Sequence, residues 1–249
     1  MQALQFEIRA EFGIFRRPDK QEPSLTYNFI PKSTVLGMCG AVLGLSGFGA
    51  PNKNKRLEFI NRLKHLKISV SPIYGPPENP RPFLKTFVQF INYHGYGNVD
   101  GPLILKEQLL VRPAFRIAII GAEDDENLIE LTRRLKSREA VFRPYMGKNE
   151  FITDTKFVSL SKATVCKEGK FICSSIYPLS GHVSGTREYD VSPPKLLVLD
   201  EYPYSYDESA KHICKRFCYQ DGEIYSKGID SDIGSFYRLD RSEKIIFAF

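Results

Sequence analysis

Residues 4–18 read Leu-Gln-Phe-Glu-Ile-Arg-Ala-Glu-Phe-Gly-Ile-Phe-Arg-Arg-Pro, and residues 25–45 read Leu-Thr-Tyr-Asn-Phe-Ile-Pro-Lys-Ser-Thr-Val-Leu-Gly-Met-Cys-Gly-Ala-Val-Leu-Gly-Leu. They hold a strand, a basic loop and a glycine-studded helix in immediate succession. Leu4, Phe6, Ile8, Ala10, Phe12 and Ile14 alternate with Gln5, Glu7, Arg9, Glu11 and Gly13. That period of two belongs to a strand with one buried face. After the loop the period lengthens. Val35, Met38, Cys39, Val42 and Leu43 fall at i, i+3, i+4, i+7 and i+8, which predicts a helix over 34–45 capped by Ser33 or Thr34. Gly37, Gly40 and Gly44 lie inside that helix. Each costs about 1 kcal/mol relative to Ala, so the helix must need a backbone approach that a side chain would block.

Outward from this stretch, the pattern predicts a helix over 55–66 and a strand over 67–73, then a loop carrying Pro72, Gly75, Pro76, Pro77, Pro80 and Pro82. Strands follow at 84–93, 103–111 and 115–121. A helix starts at Asp124 or Asp125 with Leu128, Leu131, Thr132 and Leu135 on one face, and a short strand at 139–142 closes the set. Without the segment of about 75–111 the order is β-α-β-β-α-β, the ferredoxin-like arrangement. That segment is then an inserted arm, two extended runs joined by a glycine-rich connection, with Tyr93, His94, Tyr96 and Asn98 at its tip. Beyond Phe151 short strands are expected at 156–160, 164–166, 171–177, 195–200 and 244–249, while Ala210, Ile213, Cys214 and Phe217 read as a helix face. The expected class is α+β. A ferredoxin-like (RRM-like) core occupies 1–150 with the β-hairpin insertion, and a small β-rich C-terminal lobe occupies 151–249.

Size and charge bound the function less tightly. The chain has 249 residues, 42% of them apolar, enough for a real core. A formal net charge of +6 leans toward a polyanionic partner, yet bases and acids are interspersed, and ordinary surface decoration explains the charge about as well. No apolar run approaches the roughly 18 residues of a membrane span, and an alternating strand stands where a signal peptide would, so a soluble cytoplasmic protein is expected. Cys39, Cys166, Cys173, Cys214 and Cys218 are odd in number and form no Cys-x-x-Cys pair, which argues against a disulfide framework. His212, Cys214 and Cys218 come nearest to a metal set, but a helix face explains them better, and no metal or cofactor is expected.

Three basic motifs carry the candidate chemistry. Lys32-Ser33-Thr34 opens the glycine-rich helix, where amides and the helix dipole attract a phosphate; a plain N-cap is the competing reading. Arg16 and Arg17 follow the first strand, flanked by Phe15 and Tyr27 as stacking surfaces. Solvated loop arginines compete with that reading. Met146, Gly147 and Lys148 form a third candidate, with glycine for close approach and lysine for charge. None is a nucleotide-binding loop: Lys32 lacks the preceding glycines, and Phe142 stands where the first glycine before Gly147-Lys148 would be.

The segments Phe15-Arg16-Arg17-Pro18, Thr26-Tyr27 and 31–45 together resemble the start of the CRISPR-associated Cas-five family, the RAMP subunit that caps the guide RNA of type I Cascade complexes, and most resemble its I-B type. Gln108-Leu109-Leu110-Val111-Arg112-Pro113-Ala114-Phe115-Arg116-Ile117 looks like the family's central strand, and Pro144-Tyr145-Met146-Gly147-Lys148-Asn149-Glu150-Phe151 like its later glycine-containing loop. The order of the matches carries the resemblance over the first two thirds of the chain. It implies that the arm is a thumb across the RNA, that Arg112 and the tip residues join the three motifs as RNA contacts, and that the 5′ handle of the CRISPR RNA is bound. It further implies Cascade backbone and large subunits as partners, with target DNA near the adjacent motif as a further candidate contact and no membrane. One subtype of the family cleaves repeat RNA with a Tyr, Lys and His constellation. Here Tyr93-His94 with Lys85 or Lys106 comes nearest to one, and no ordered triad stands out. A non-catalytic subunit is expected, with a metal-independent repeat endoribonuclease as the alternative.

Overall fold

The computed structural model describes residues 1–19, 22–47, 58–73, 84–92, 103–179, 183–185, 197–206, 212–220, 223–226, 233–240 and 245–249. Its first elements are β1 (Gln2–Arg9), β2 (Phe12–Gly13), α1 (Lys32–Leu43), α2 (Glu58–Leu63), β3 (Lys67–Pro72), β4 (Lys85–Asn92), β5 (Leu103–Val111), β6 (Ala114–Gly121) and α3 (Glu126–Ser137). They are followed by β7 (Asp154–Cys166), β8 (Gly169–Ile172), β9 (Tyr177–Pro178), β10 (Val183–Gly185), β11 (Leu197–Tyr206), β12 (His212–Gln220), β13 (Glu223–Ser226), β14 (Ser235–Leu239) and β15 (Ile245–Ala248). Strands dominate this mixed α/β architecture. Among the described residues no helix is long and apolar enough to cross a membrane.

β1 lies at the centre of a six-stranded sheet of order β15-β14-β7-β1-β6-β3, pairing antiparallel with β6 on one edge and β7 on the other. The alternation read in β1 sorts its side chains onto two faces. Leu4, Phe6 and Ile8 meet Ile68, Val70, Ile117 and Ile119 in a core that also takes Val35, Met38, Cys39 and Val42 of α1 and Leu128, Leu131 and Leu135 of α3. Ala3, on the other face, joins Ala118, Ala163, Ile120, Tyr237 and Ala248 in a second buried cluster. Phe249 and Ile68 exchange both backbone hydrogen bonds, at 2.9 and 3.1 Å, which brings the end of the chain back to the β3 edge. A sheet curled on itself with so few strands has a narrow interior, and alanine fits it.

α3 starts where its pattern predicted, with the Asp125 carboxylate accepting the Leu128 amide at 2.8 Å. α1 differs. Its N-cap is Pro31 with no side-chain cap hydrogen bond, so neither Ser33 nor Thr34 caps it. The glycine expectation finds a local answer, because a Cβ on Gly40 would lie 2.7 Å from Cβ of Phe59. Close packing of α1 on α2 requires that glycine.

Three further expectations are corrected. Residues 139–142 form no strand; the amides of Val141 and Phe142 instead donate to the Val42 and Ala41 carbonyls at the end of α1, at 3.2 and 2.9 Å, supplying donors its last turn lacks. The strand that pairs with β1 on that edge is the later β7. Ile213, Cys214 and Phe217 lie on β12, not on a helix, because Phe217 and its neighbours pair along β11. β7, β14 and β15 lie beyond residue 150 yet belong to the central sheet, whereas β8 to β13 form two three-stranded sheets of order β10-β13-β8 and β11-β12-β9. The arm is present as the β4–β5 hairpin, paired from Lys85↔Leu110 to Asn92↔Leu103, with β2 on the other edge of β5. Tyr93, His94, Tyr96 and Asn98 lie outside the described residues.

Candidate nucleic-acid interface

The base of the arm gathers cations from three distant segments. Leu105, Glu107 and Leu109 share one face of β5, so an acid sits in an apolar row and must find partners. Glu107 is 1% exposed. One of its oxygens accepts from Arg16 Nη2 and the other from Lys148 Nζ. Burial alone would raise the Glu107 pKa, but the hydrogen bonds from Lys148 and Arg16 outweigh it and hold the carboxyl below its ordinary range. The Lys148 ammonium also lies 4.3 Å from the centre of the Phe90 ring, at favourable cation–π distance. The Arg16 side chain, anchored at one nitrogen, remains 57% exposed.

Arg17, next in the chain, turns to a second acid. It meets Asp19 at 3.0 and 3.1 Å and Asp200 of β11 at 3.6 Å, with its guanidinium 5.6 Å from the Tyr27 ring centre. Asp200 is buried and accepts the Asn28 amide at 2.7 Å. Burial raises its pKa, and the Asn28 amide, Arg17 and Lys85 offset only part of that rise. Lys85 of β4 donates to the Thr26 carbonyl at 3.1 Å, while the Gln108 side chain accepts the Thr26 amide at 3.5 Å. The basic loop, the foot of the arm and β11 are therefore pinned together.

Residues 143–153 dock onto β2. Met146 donates to the Phe151 carbonyl at 2.8 Å, and the Ile14 amide donates to the Met146 carbonyl at 3.1 Å. Gly147 has φ of 87°, and a Cβ there would lie 1.7 Å from the Ile14 carbonyl oxygen. Its close approach is to the protein's own backbone, and that approach delivers Lys148 to Glu107. The Met146 side chain is fully buried, which corrects the expectation of a surface contact there.

Other predicted contacts lie elsewhere. Phe15 and Tyr27 are buried, Phe15 against Phe115 at 6.2 Å between ring centres, so neither offers an open face to a base. Packing beneath the first strand claims rings that the sequence places beside arginines. Lys32 also turns inward: its ammonium donates to the Phe249 main-chain oxygen at 2.7 Å and sits 5.5 Å from that residue's ring centre. Burial, assisted by nearby Lys67, pulls its pKa down to about 8. Ser33 and Thr34 are half-buried in the first turn of α1. Arg112 stands apart on the β5–β6 turn, with φ of 49° and its guanidinium 3.7 Å from the equally exposed Glu11. Among the described residues no group of three His, Cys, Asp or Glu side chains could hold a metal ion.

Sequence reading missed Glu107 and Asp200, and it named Lys85 only beside Tyr93-His94 and not with this cluster. Glu107 had a signal, since an acid at the period of Leu103, Leu105 and Leu109 stands in an apolar row, where a charge needs a partner. Asp200 had none that the local pattern could show, because its partners Asn28 and Arg17 are remote in sequence.

A family model described as CRISPR-associated protein (Cas_Cas5) matches residues 3–213. The chain belongs to this CRISPR-associated family. No curated protein matches this Cas5 chain in sequence. In three dimensions it is similar to a CRISPR protein from Archaeoglobus fulgidus, known from a crystal structure, at 12% identity and TM-score 0.54 over 99% of this chain and 98% of that one. It is also similar to a chain of the Type III-B Cmr-beta complex bound to cognate target RNA and AMPPnP, known from cryo-EM, at 10% identity and TM-score 0.50 over 98% of each chain. At such identities the likeness is one of fold.

Proposed function

We propose that this Cas5 chain is an RNA-binding subunit of a CRISPR effector complex that holds the 5′ handle of the CRISPR RNA and caps one end of a type I Cascade assembly of the I-B kind. The observation that carries the reading is the convergence of Arg16 and Lys148 on Glu107 at the foot of a projecting hairpin, with Arg17 and Lys85 alongside. Clustered cations, with Arg16 exposed and Arg17, Lys85 and Lys148 partly buried beside it, suit phosphates of a single strand. In this reading the core is ferredoxin-like: the order β7-β1-β6-β3, with helices after the first and third of the strands β1, β3, β6 and β7, supports it. The β4–β5 hairpin is the thumb. Phe87, Ile91 and Ile104 are exposed on one of its faces and Phe90 and Leu105 on the other, which supports burial against the RNA and the neighbouring backbone and large subunits.

The role is scaffolding, without catalysis. Filter binding of single-stranded handle RNA over a range of salt concentrations tests the reading. Replacing Arg16, Arg17 and Lys148 together by Ala should flatten the salt slope by roughly 0.7 per lost contact. An unchanged slope defeats it. Repeat RNA incubated with the protein and EDTA should stay full length, and its cleavage would make the protein a nuclease.

A further inference from the structure

We infer that Glu107 is a positioning residue for RNA binding, and that it strengthens the affinity although its own charge repels phosphate. The inference rests on the RNA-binding reading above and adds to it the group that aims the cations.

The two oxygens of this single carboxylate take one N–H each from Arg16 and Lys148. A guanidinium has five N–H donors and an ammonium three, so both cations retain donors for a phosphate. Glu107 is 1% exposed on a strand paired with β4 on one edge, and with β2 and the Ser24 backbone on the other. It can neither swing out nor be replaced at its position by a phosphate, which excludes a role as a competitor for the anion seat. The phosphate instead meets the solvent side of Arg16, whose side chain is 57% exposed. Without the carboxylate, two like charges lose the group that holds them together, and two long side chains regain rotamer freedom that binding must remove.

Counting charges and positioning them give opposite signs. Removing a negative group beside a polyanion site should tighten binding if only net charge matters. If Glu107 positions the cations, the same removal should weaken it.

The full chain is titrated with labelled single-stranded oligouridine RNA at several salt concentrations, and thermal melts are recorded in parallel. Glu107→Gln should bind about tenfold more weakly, with a salt slope flatter by roughly 1.4, the value for two lost contacts. Glu107→Asp keeps the charge but withdraws the carboxylate by one methylene. It should weaken binding in the same direction, and it decides the matter if the glutamine variant does not fold. Binding by Glu107→Gln as tight as wild type or tighter overturns the inference. A lower melting temperature with unchanged affinity and slope does so as well, because the carboxylate is then only a structural pin. Arg16→Ala/Lys148→Ala is run alongside. If that variant binds as wild type does, the RNA-binding reading itself fails; if it weakens while both Glu107 variants do not, only the positioning role fails.

Discussion

At the start of α1, Lys32 points inward and gives its ammonium to a main-chain oxygen and the face of Phe249. At the foot of the arm, Lys148 gives its ammonium to a carboxylate it shares with Arg16. For the first lysine burial dominates, assisted by nearby Lys67, and its pKa falls to about 8. The second belongs to a charged set that retains an exposed cation. The counter-group decides how each lysine's charge is balanced, and the counter-group comes from another part of the chain.

The most disruptive test of this contrast is Gly147→Ala. A Cβ at φ of 87°, 1.7 Å from the Ile14 oxygen, cannot be accommodated without moving the 143–153 segment off β2. The variant should lose about 4 kcal/mol in denaturant unfolding and most of its RNA affinity. Near-native stability would mean that this segment does not hold Lys148 in place.

Lys32 is tested by pH. Its folded pKa of about 8 lies below its ordinary 10.5, so the unfolded chain binds more protons between those values and stability rises with pH there. Its contribution is complete above about pH 10.5 and lost as pH falls through 8. Wild type should therefore gain up to about 3 kcal/mol relative to Lys32→Met between pH 8 and 10.5. Measuring the difference cancels the other titrating groups. A flat difference would put Lys32 in solvent.

A smaller effect sharpens the contrast in binding. Lys32→Met should leave the salt slope for single-stranded RNA unchanged, while Lys148→Ala should flatten it by roughly 0.7. Equal slopes for the two variants would remove the distinction between the regions. Smallest of all, Phe90→Ala removes the ring under Lys148 and should cost about 0.5–1 kcal/mol in unfolding, with a correspondingly modest loss of RNA affinity.

Much of the scaffold could be read locally. The alternation of β1, the buried stripes of α1 and α3, the Asp125 cap and the hairpin each depend on residues a few positions apart. The errors share another property. The 139–142 run has strand composition, yet its amides are spent on α1. The 210–217 run has helical spacing, yet its described part, 212–217, is captured by β11 as a strand. Phe15 and Tyr27 look like loop aromatics, yet the core encloses them.

By itself, then, the sequence determined the kinds of element in the first half of the chain, the inserted hairpin and a set of basic residues that resemble those of one family, because hydrophobic period and turn chemistry are local properties. Only the tertiary structure decided which cations stay available. Arg16 and Lys148 share a carboxylate, and Lys32 turns to a main-chain oxygen, because Glu107 and Phe249 stand where long-range pairing put them. An ion's free energy depends on what surrounds it in space, and no window along the chain contains that.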